Sequence, residues 1–410
     1  MLTQNCRETL RTLAIDLMEI ANNPMMEQKK TMWKALNRNN MQRPMVVIDQ
    51  LPWNELDCTE LHITISDPYW QIVERTMRQT IYMYRHFPVD MVIDPFIKIP
   101  KVVSNSGYGL IPNEKIMGMD NANIYSHKYR NLITNFDDVK LITDMTITYE
   151  EAETNRYLDE ANDMFFDIAP VKAYGIVFSL GVWDYLSQLM SVESIYYDLI
   201  DRPELLHVAI NRLTEATIAG IEQASSLNVH NDNSNVCHCS YIYTDELLPK
   251  SGAGKGGIAK NCWAPGLAQL FTSVSNDVFK EFELPYITRM ANMFGMIYYG
   301  CCDKIDHRLN LVKKIPNVRK ISCSPWSDKI AFAEKIGQEH IMSIKPNPSF
   351  LAESNFDEDI VRKDITETCM HIKKNNVNAE FILKDVSTVH FEPERLTRWA
   401  NVAMDVVNNI

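Results

Sequence analysis

Hydrophobic residues recur along this chain with two spacings. Near the start, Leu10, Leu13, Ala14, Leu17 and Met18 fall three or four apart, which lines one face of a helix. Asn22, Asn23 and Pro24 break that pattern, and Gln28 to Leu36 resumes it, so two helices are predicted ahead of residue 41. Beyond them, short apolar runs alternate with helical stretches such as Val192–Ser226 and Val278–Met293. The runs are Met45–Ile48, Met91–Ile93, Ala173–Phe178, Leu227–His230, Met296–Tyr299, Val318–Ser322, Ile341–Ile344 and Phe381–Leu383. Eight runs with helices between most of them predict an α/β fold, a (β/α)8 TIM barrel with an N-terminal helical extension. Residues 1–40 read as the helical cap and 41–410 as the barrel. An open doubly wound sheet is the alternative. It would need a glycine fingerprint to bind a dinucleotide, and none follows the first strand. The segment Ser251–Gly257 (SGAGKGG) lacks the ending of a P-loop and reads as a mobile loop.

Charge and composition narrow the function. Lys and Arg number 41 against 53 Asp and Glu, a net charge of −12, and no basic stripe offsets it. Such a surface repels a phosphate backbone, so no nucleic-acid partner is expected. No run of 18 apolar residues exists, and Met1–Ile20 carries Arg7, Glu8, Arg11, Asp16 and Glu19. Neither a membrane span nor a signal core tolerates that pattern, so a cytoplasmic protein is expected. Nine cysteines in 410 residues are too sparse for a disulfide scaffold and read as reduced thiols, some of them candidate metal ligands.

In a barrel of this type, chemistry collects where the strands end. The residues found there include Asp49, Asp94, Asp232, Cys301, Cys302, Cys323, Lys345, Asn347, Lys384 and Asp385. Cys301–Cys302 is the most unusual pair. Strand alternation would send one thiol into the lumen and the other away, so one could be a zinc ligand or nucleophile; the other reading is two small buried hydrophobes. Cys237–His238–Cys239 offers sulfur and imidazole, the ligands zinc favours, and a composite site would draw His238, Cys239, Cys301, Cys302 and Cys323 together. Lys345–Pro346–Asn347–Pro348 sits in a loop stiffened by two prolines, which suits an anionic or carbonyl group. Trp183, Trp263 and Trp326 are candidates to wall an apolar pocket, or they are core and rim aromatics. His390 could act as a general acid or base.

Three segments together resemble the uroporphyrinogen decarboxylase-like superfamily. They are Trp263–Ile305, with its Met296–Cys302 strand end; Pro316 through Lys345–Pro346–Asn347–Pro348; and Phe381–Leu383 followed by Glu392–Leu396. The resemblance covers roughly residues 40–410 and implies the same barrel. One activity of that superfamily is porphyrinogen decarboxylation, whose members carry an arginine-rich motif after strand one. Here that stretch is Val47–Glu55, with no arginine. The other activity is corrinoid-dependent methyl transfer on a zinc held by a His-x-Cys motif and a later cysteine. Here Tyr299 and Cys301 stand at the first two positions and Ser387 lies near the third, so one ligand of three matches directly.

The resemblance implies a methyltransferase that moves a methyl group from a small O- or N-methylated donor to a corrinoid protein. The alternative is a carboxy-lyase acting on a small or porphyrin-type carboxylate. Asp49, Asp94, Tyr299 and His390 are the candidate acids and bases. Trp183, Trp263, Trp326, Lys345 and Asn347 are the candidate substrate contacts. Cys301, Cys302, Cys323, His238 and Cys239 are the candidate ligands for zinc. No corrinoid-binding Asp-x-His-x-x-Gly motif occurs in the chain, so a separate partner protein would bring the corrinoid. A homodimer is the assembly the resemblance suggests.

Overall fold

A computed structural model of the chain describes residues 2–117, 126–231, 235–247 and 257–410. Asp232 and residues 251–256 of the glycine-rich segment lie outside the described residues. The first two helices form where the spacing puts them: α1 spans Gln4–Ala21 and α2 spans Pro24–Asn37. Thr3 and Asn23 cap them through side-chain oxygens that accept backbone N–H bonds. Pro24 sits in the first turn of α2, where a missing N–H costs nothing. The buried Trp33 of α2 donates its indole N–H to the Asp90 carbonyl at 2.8 Å, which ties this helix to the chain just after α3 (Pro68–His86).

Six strands form one parallel sheet. They are β1 (Met45–Ile48), β2 (Trp263–Gly266), β3 (Met296–Tyr299), β4 (Val318–Cys323), β5 (Ile341–Ile344) and β6 (Asn378–Leu383), in the order β1-β6-β5-β4-β3-β2. The last strand thus returns to pair with the first, Met45 opposite Glu380. Every residue of β1, β3, β5 and β6 is buried, as expected where helices cover a parallel sheet. Backbone bonds extend both edges: the Asp90 N–H donates to the Val46 carbonyl beside β1, and the Leu180 N–H donates to the Pro265 carbonyl beside β2, each at 2.8 Å. A parallel pair, Ile97–Pro100 with Val171–Tyr174, lies outside the main sheet and leads to a single bridge between Ile176 and His230.

Several expectations change here. Met91–Ile93 belongs to no strand, and Leu227–His230 supplies only the bridge. A strand absent from the sequence reading is Trp263–Gly266, where proline and glycine look like breakers. Pro265 is tolerated because β2 ends the sheet, and its carbonyl is used by Leu180. The stretch Val192–Ser226 is two helices, Val192–Asp201 and Pro203–Ser226, because Pro203 begins a new one. Antiparallel pairs also form, Val103–Asn105 with Ile147–Tyr149 among them.

Side-chain alternation gives the sheet two unlike faces. Across β4 to β6 the register stacks Lys320, Ser322, Ser343 and Glu380 on one face. Ile321, Cys323, Met342, Ile344, Ala379 and Phe381 share the other. Strand interiors were expected to be apolar, yet the first face carries Lys320, Ser322, Ser343, Asn378 and Glu380 beside Ile341 and Ile382. The cost of burying it is met by pairing: Lys320 Nζ and Glu380 Oε2, both fully buried, are 2.7 Å apart.

Candidate active site

The polar face leads to the ends of β3, β5 and β6. Gly300 follows β3 with φ +88°, a left-handed turn that glycine adopts without penalty. Its N–H donates to the Gly266 carbonyl at 2.8 Å. A Cβ there would stand 3.1 Å from both Ile305 Cδ1 and Ser322 Cβ. The turn ends the strand before Cys301, so strand alternation does not separate the two thiols: Cys301 Sγ and Cys302 Sγ lie 3.5 Å apart. Two further bonds pin the Cys301 backbone. Its N–H donates to Asp303 Oδ1 at 2.8 Å, and Ser322 Oγ donates to its carbonyl at 2.6 Å.

Lys384 Nζ, from the end of β6, donates to Cys301 Sγ at 3.1 Å. The next residue, Asp385, accepts from the Cys302 thiol at 2.9 Å. The pKa of Cys301 is held well below that of an ordinary thiol. The close contact with Cys302 Sγ contributes most, burial opposes it, and the His238 ring and Lys384 charge add to the lowering. Cys302 is pushed the other way by that same contact and by burial. Burial works against the Lys384 ammonium, but the Cys301, Cys239 and Asp385 charges outweigh it and raise its pKa. These shifts favour Cys301 as the thiolate and Lys384 as the ammonium.

A tight hairpin brings in the third element. Val236–Cys237 pairs with Ser240–Tyr241, leaving His238 and Cys239 as the two-residue turn. Their φ angles are +51° and +69°, as a type I′ turn requires, yet neither is the usual asparagine or glycine. Holding such residues there costs about 1–3 kcal/mol each, strain of the kind stored at functional sites. The tip sets the His238 ring against Cys301 and 5.1 Å from the Tyr298 ring. Cys239 bonds to Asp49, and burial raises its pKa. Cys237 is buried close to Lys320 and Glu380.

Lys345 joins this group from the end of β5. Its Nζ donates to Tyr298 Oη and, at 2.9 Å, to Ser343 Oγ. Ser343 in turn donates to Glu380 Oε1 at 2.6 Å. Burial lowers the pKa of Lys345 to about 8, with the Glu380 charge opposing and the Lys384 charge assisting.

The residues singled out from the sequence divide accordingly. Cys301, Cys302, His238, Cys239, Asp49 and Lys345 converge. Cys323 does not: it lies on the apolar face, where burial raises its pKa to about 12. Tyr299 turns away from Tyr298 and donates to the buried Glu283 at 3.0 Å. Asp94 is held by Lys30 at 3.0 Å and the Tyr243 hydroxyl at 3.0 Å. It lines a separate cavity of about 320 Å³ between α1, α3 and Tyr241. His390 is exposed, with Nε2 2.7 Å from the Ala352 carbonyl. Asn347 caps its own turn by accepting from the Ser349 N–H at 3.0 Å. Trp183 is buried and bonded to the Phe282 carbonyl, Trp263 is buried near Lys320, and Trp326 is exposed, so the three do not form one wall. Among the described residues, no three histidine, cysteine, aspartate or glutamate side chains are arranged to hold a metal ion. The five candidate zinc ligands do not form a set, because Cys323 is on the wrong face and the Lys384 ammonium occupies one side of Cys301.

Tyr298, Lys320, Glu380 and Lys384 complete the site and were not among the sequence candidates. Lys384 was visible only as a strand-end residue. Lys320 and Glu380 carried a signal that went unused: a charged residue inside an otherwise apolar strand needs a buried partner.

No family model matches the sequence, and no curated protein matches it either. The fold does have likenesses. A solved structure of a methyltransferase from Methanosarcina mazei superposes with a TM-score of 0.50, covering 92% of this chain and 98% of its own, at 11% identity. That likeness is one of fold: a mixed α/β architecture whose core is a parallel sheet under helices.

Proposed function

We propose that this chain is a methyltransferase of the uroporphyrinogen decarboxylase-like type, moving a methyl group from a small O- or N-methylated donor to a corrinoid protein. The extended segments hydrogen-bonded to β1 and β2 are read as the strands that close the sheet into a barrel, with the site at its mouth. The carrying observation is the Cys301–Lys384 pair with the His238 ring beside it. The methyltransferase fold likeness is consistent with it.

The chemical difficulty in such a transfer is the leaving group. An alkoxide, phenoxide or amide departs badly unless its charge is met as it develops. The partner's reduced corrinoid would supply the nucleophile that accepts the methyl group. In this chain, the His238 imidazole donates a proton to the departing oxygen or nitrogen. The Lys384 ammonium stabilises the negative charge building there. Cys301, as thiolate, orients the His238 ring and keeps Lys384 protonated. No step runs through zinc.

The test is demethylation of a methyl-ether panel by purified protein with a reduced corrinoid protein. Methylated corrinoid is the expected product, lost in His238→Asn. No product with any donor would sink the reading. The buried cations Lys345 and Lys384 favour one second reading, a carboxy-lyase. It predicts carbon dioxide released from a carboxylate with no corrinoid protein present.

A further inference from the structure

Three lysines are buried on the polar face: Lys320, Lys345 and Lys384 are 0%, 1% and 2% exposed. Two have anionic partners. Lys320 has Glu380 at 2.7 Å. Lys384 has the Cys301 sulfur at 3.1 Å and the part-exposed Asp385 at 3.4 Å. Lys345 has none. Its Nζ meets Tyr298 Oη, Ser343 Oγ at 2.9 Å and the Ser343 carbonyl at 3.4 Å, all neutral oxygens. Glu380 is one hydroxyl further off and already engaged: Ser343 donates to Oε1, while Lys320 and Ser240 donate to Oε2. The face therefore carries one buried positive charge more than its buried anions balance.

An unpaired buried ammonium is costly, and burying it without recompense is disfavoured. Full neutralisation is one escape, and burial does lower the pKa of Lys345, to about 8. The other escape is an anion that arrives from outside. Pro346 and Pro348 stiffen the loop behind Lys345, so the cation stays in place when the site is empty. The His238 ring lies 5.1 Å from that of Tyr298, whose hydroxyl accepts from Lys345.

We propose that the substrate carries a carboxylate and that Lys345 receives it. This deepens the methyl-transfer reading, on which the word donor rests: the donor is a small methoxy or N-methyl acid, anchored by its carboxylate with its methyl-bearing atom toward His238. A carboxylate oxygen can take the Lys345 N–H that here reaches only the Ser343 carbonyl, at 3.4 Å.

The experiment compares methoxyacetate and 4-methoxybenzoate with their neutral amides, by thermal shift and calorimetry, on wild type, Lys345→Met and Lys345→Arg. Saturable stabilisation of wild type by the acids, at least tenfold weaker binding of the amides, loss in Lys345→Met and partial retention in Lys345→Arg are expected. Lys345→Met should melt higher than wild type without ligand, since it removes the uncompensated charge. Equal binding of acids and amides, or of acids by Lys345→Met, overturns the proposal, as does no binding of any acid. Adding the reduced corrinoid protein separates the two ideas. Fast demethylation of the amides keeps methyl transfer and ends the carboxylate anchor. Lys345-dependent binding of acids without demethylation does the reverse.

Discussion

Lys384 Nζ and Cys301 Sγ, 83 residues apart in sequence, meet at 3.1 Å in a buried ion pair. The contact depends on two backbone features. Gly300 turns the chain left-handed just after β3, and Asp385 does the same just after β6, with φ +57°. Each strand therefore ends by presenting one side chain to the other.

The pair sets the pH response of Cys301. A thiol whose folded pKa is depressed contributes stability in full above its unfolded pKa of about 8.5 and loses it as pH falls toward the folded value. Wild type should alkylate at Cys301 with iodoacetamide well below that pH. In Lys384→Met the profile should move to higher pH, and stability should drop by about 3–5 kcal/mol because a buried thiolate loses its partner. Peptide mass spectrometry across pH, alongside urea titration, reads both. An unmoved profile in Lys384→Met would mean that Cys302 and His238 alone hold the thiolate.

His238 separates function from stability. Asparagine tolerates the left-handed conformation that φ +51° demands, so His238→Asn keeps the hairpin. Melting should stay within a few degrees of wild type, while turnover falls by about 10²–10⁴, the usual worth of a general acid. A variant of undiminished turnover removes His238 from the proton transfer.

The Lys320–Glu380 pair underlies Lys345 through Ser343. Glu380→Gln should destabilise by about 3–5 kcal/mol, since it strands the Lys320 ammonium among buried atoms. The double variant Lys320→Met, Glu380→Leu should recover part of that loss, because two apolar groups need no partner, while Ser240 and Ser343 lose their acceptor. Guanidinium denaturation of Lys320→Met, Glu380→Leu and the double variant gives the coupling energy. Simple additivity would show that the two charges do not depend on each other.

Much of this could be read from the chain. The apolar runs at Met45–Ile48, Met296–Tyr299 and Ile341–Ile344 are strands, because double-sided burial writes itself as a nearly continuous run, and Val318–Ser322 is one although Arg319 and Lys320 interrupt it. Trp263–Gly266 escaped notice because an edge strand can hold proline and glycine. The thiols, the hairpin histidine and Lys345 were visible as unusual residues near strand ends. Which of them meet was not, since that depends on turns. Gly300 redirects Cys301 and Cys302 against the alternation rule, while Cys323, still inside β4, obeys it and faces away. Tyr298 and Tyr299 are neighbours in sequence, and only the register tells which one reaches Lys345.

The Gly300 turn can be probed directly. With φ +88°, an alanine pays for a left-handed backbone, about 1–2 kcal/mol. Its Cβ also presses on Ile305 and Ser322, each 3.1 Å away. Ile305 is a side-chain tip that can yield, whereas Ser322 is fixed by its bond to the Cys301 carbonyl. The displacement should therefore pass to Cys301 and lengthen its contact with Lys384. Gly300→Ala is expected to lower stability by about 2–3 kcal/mol in all and to shift Cys301 alkylation toward the pH of an ordinary thiol. The second substitution, Gly300→Asn, tolerates the φ and keeps only the steric term. If it alkylates like wild type while Gly300→Ala does not, backbone conformation rather than crowding holds the thiolate in place.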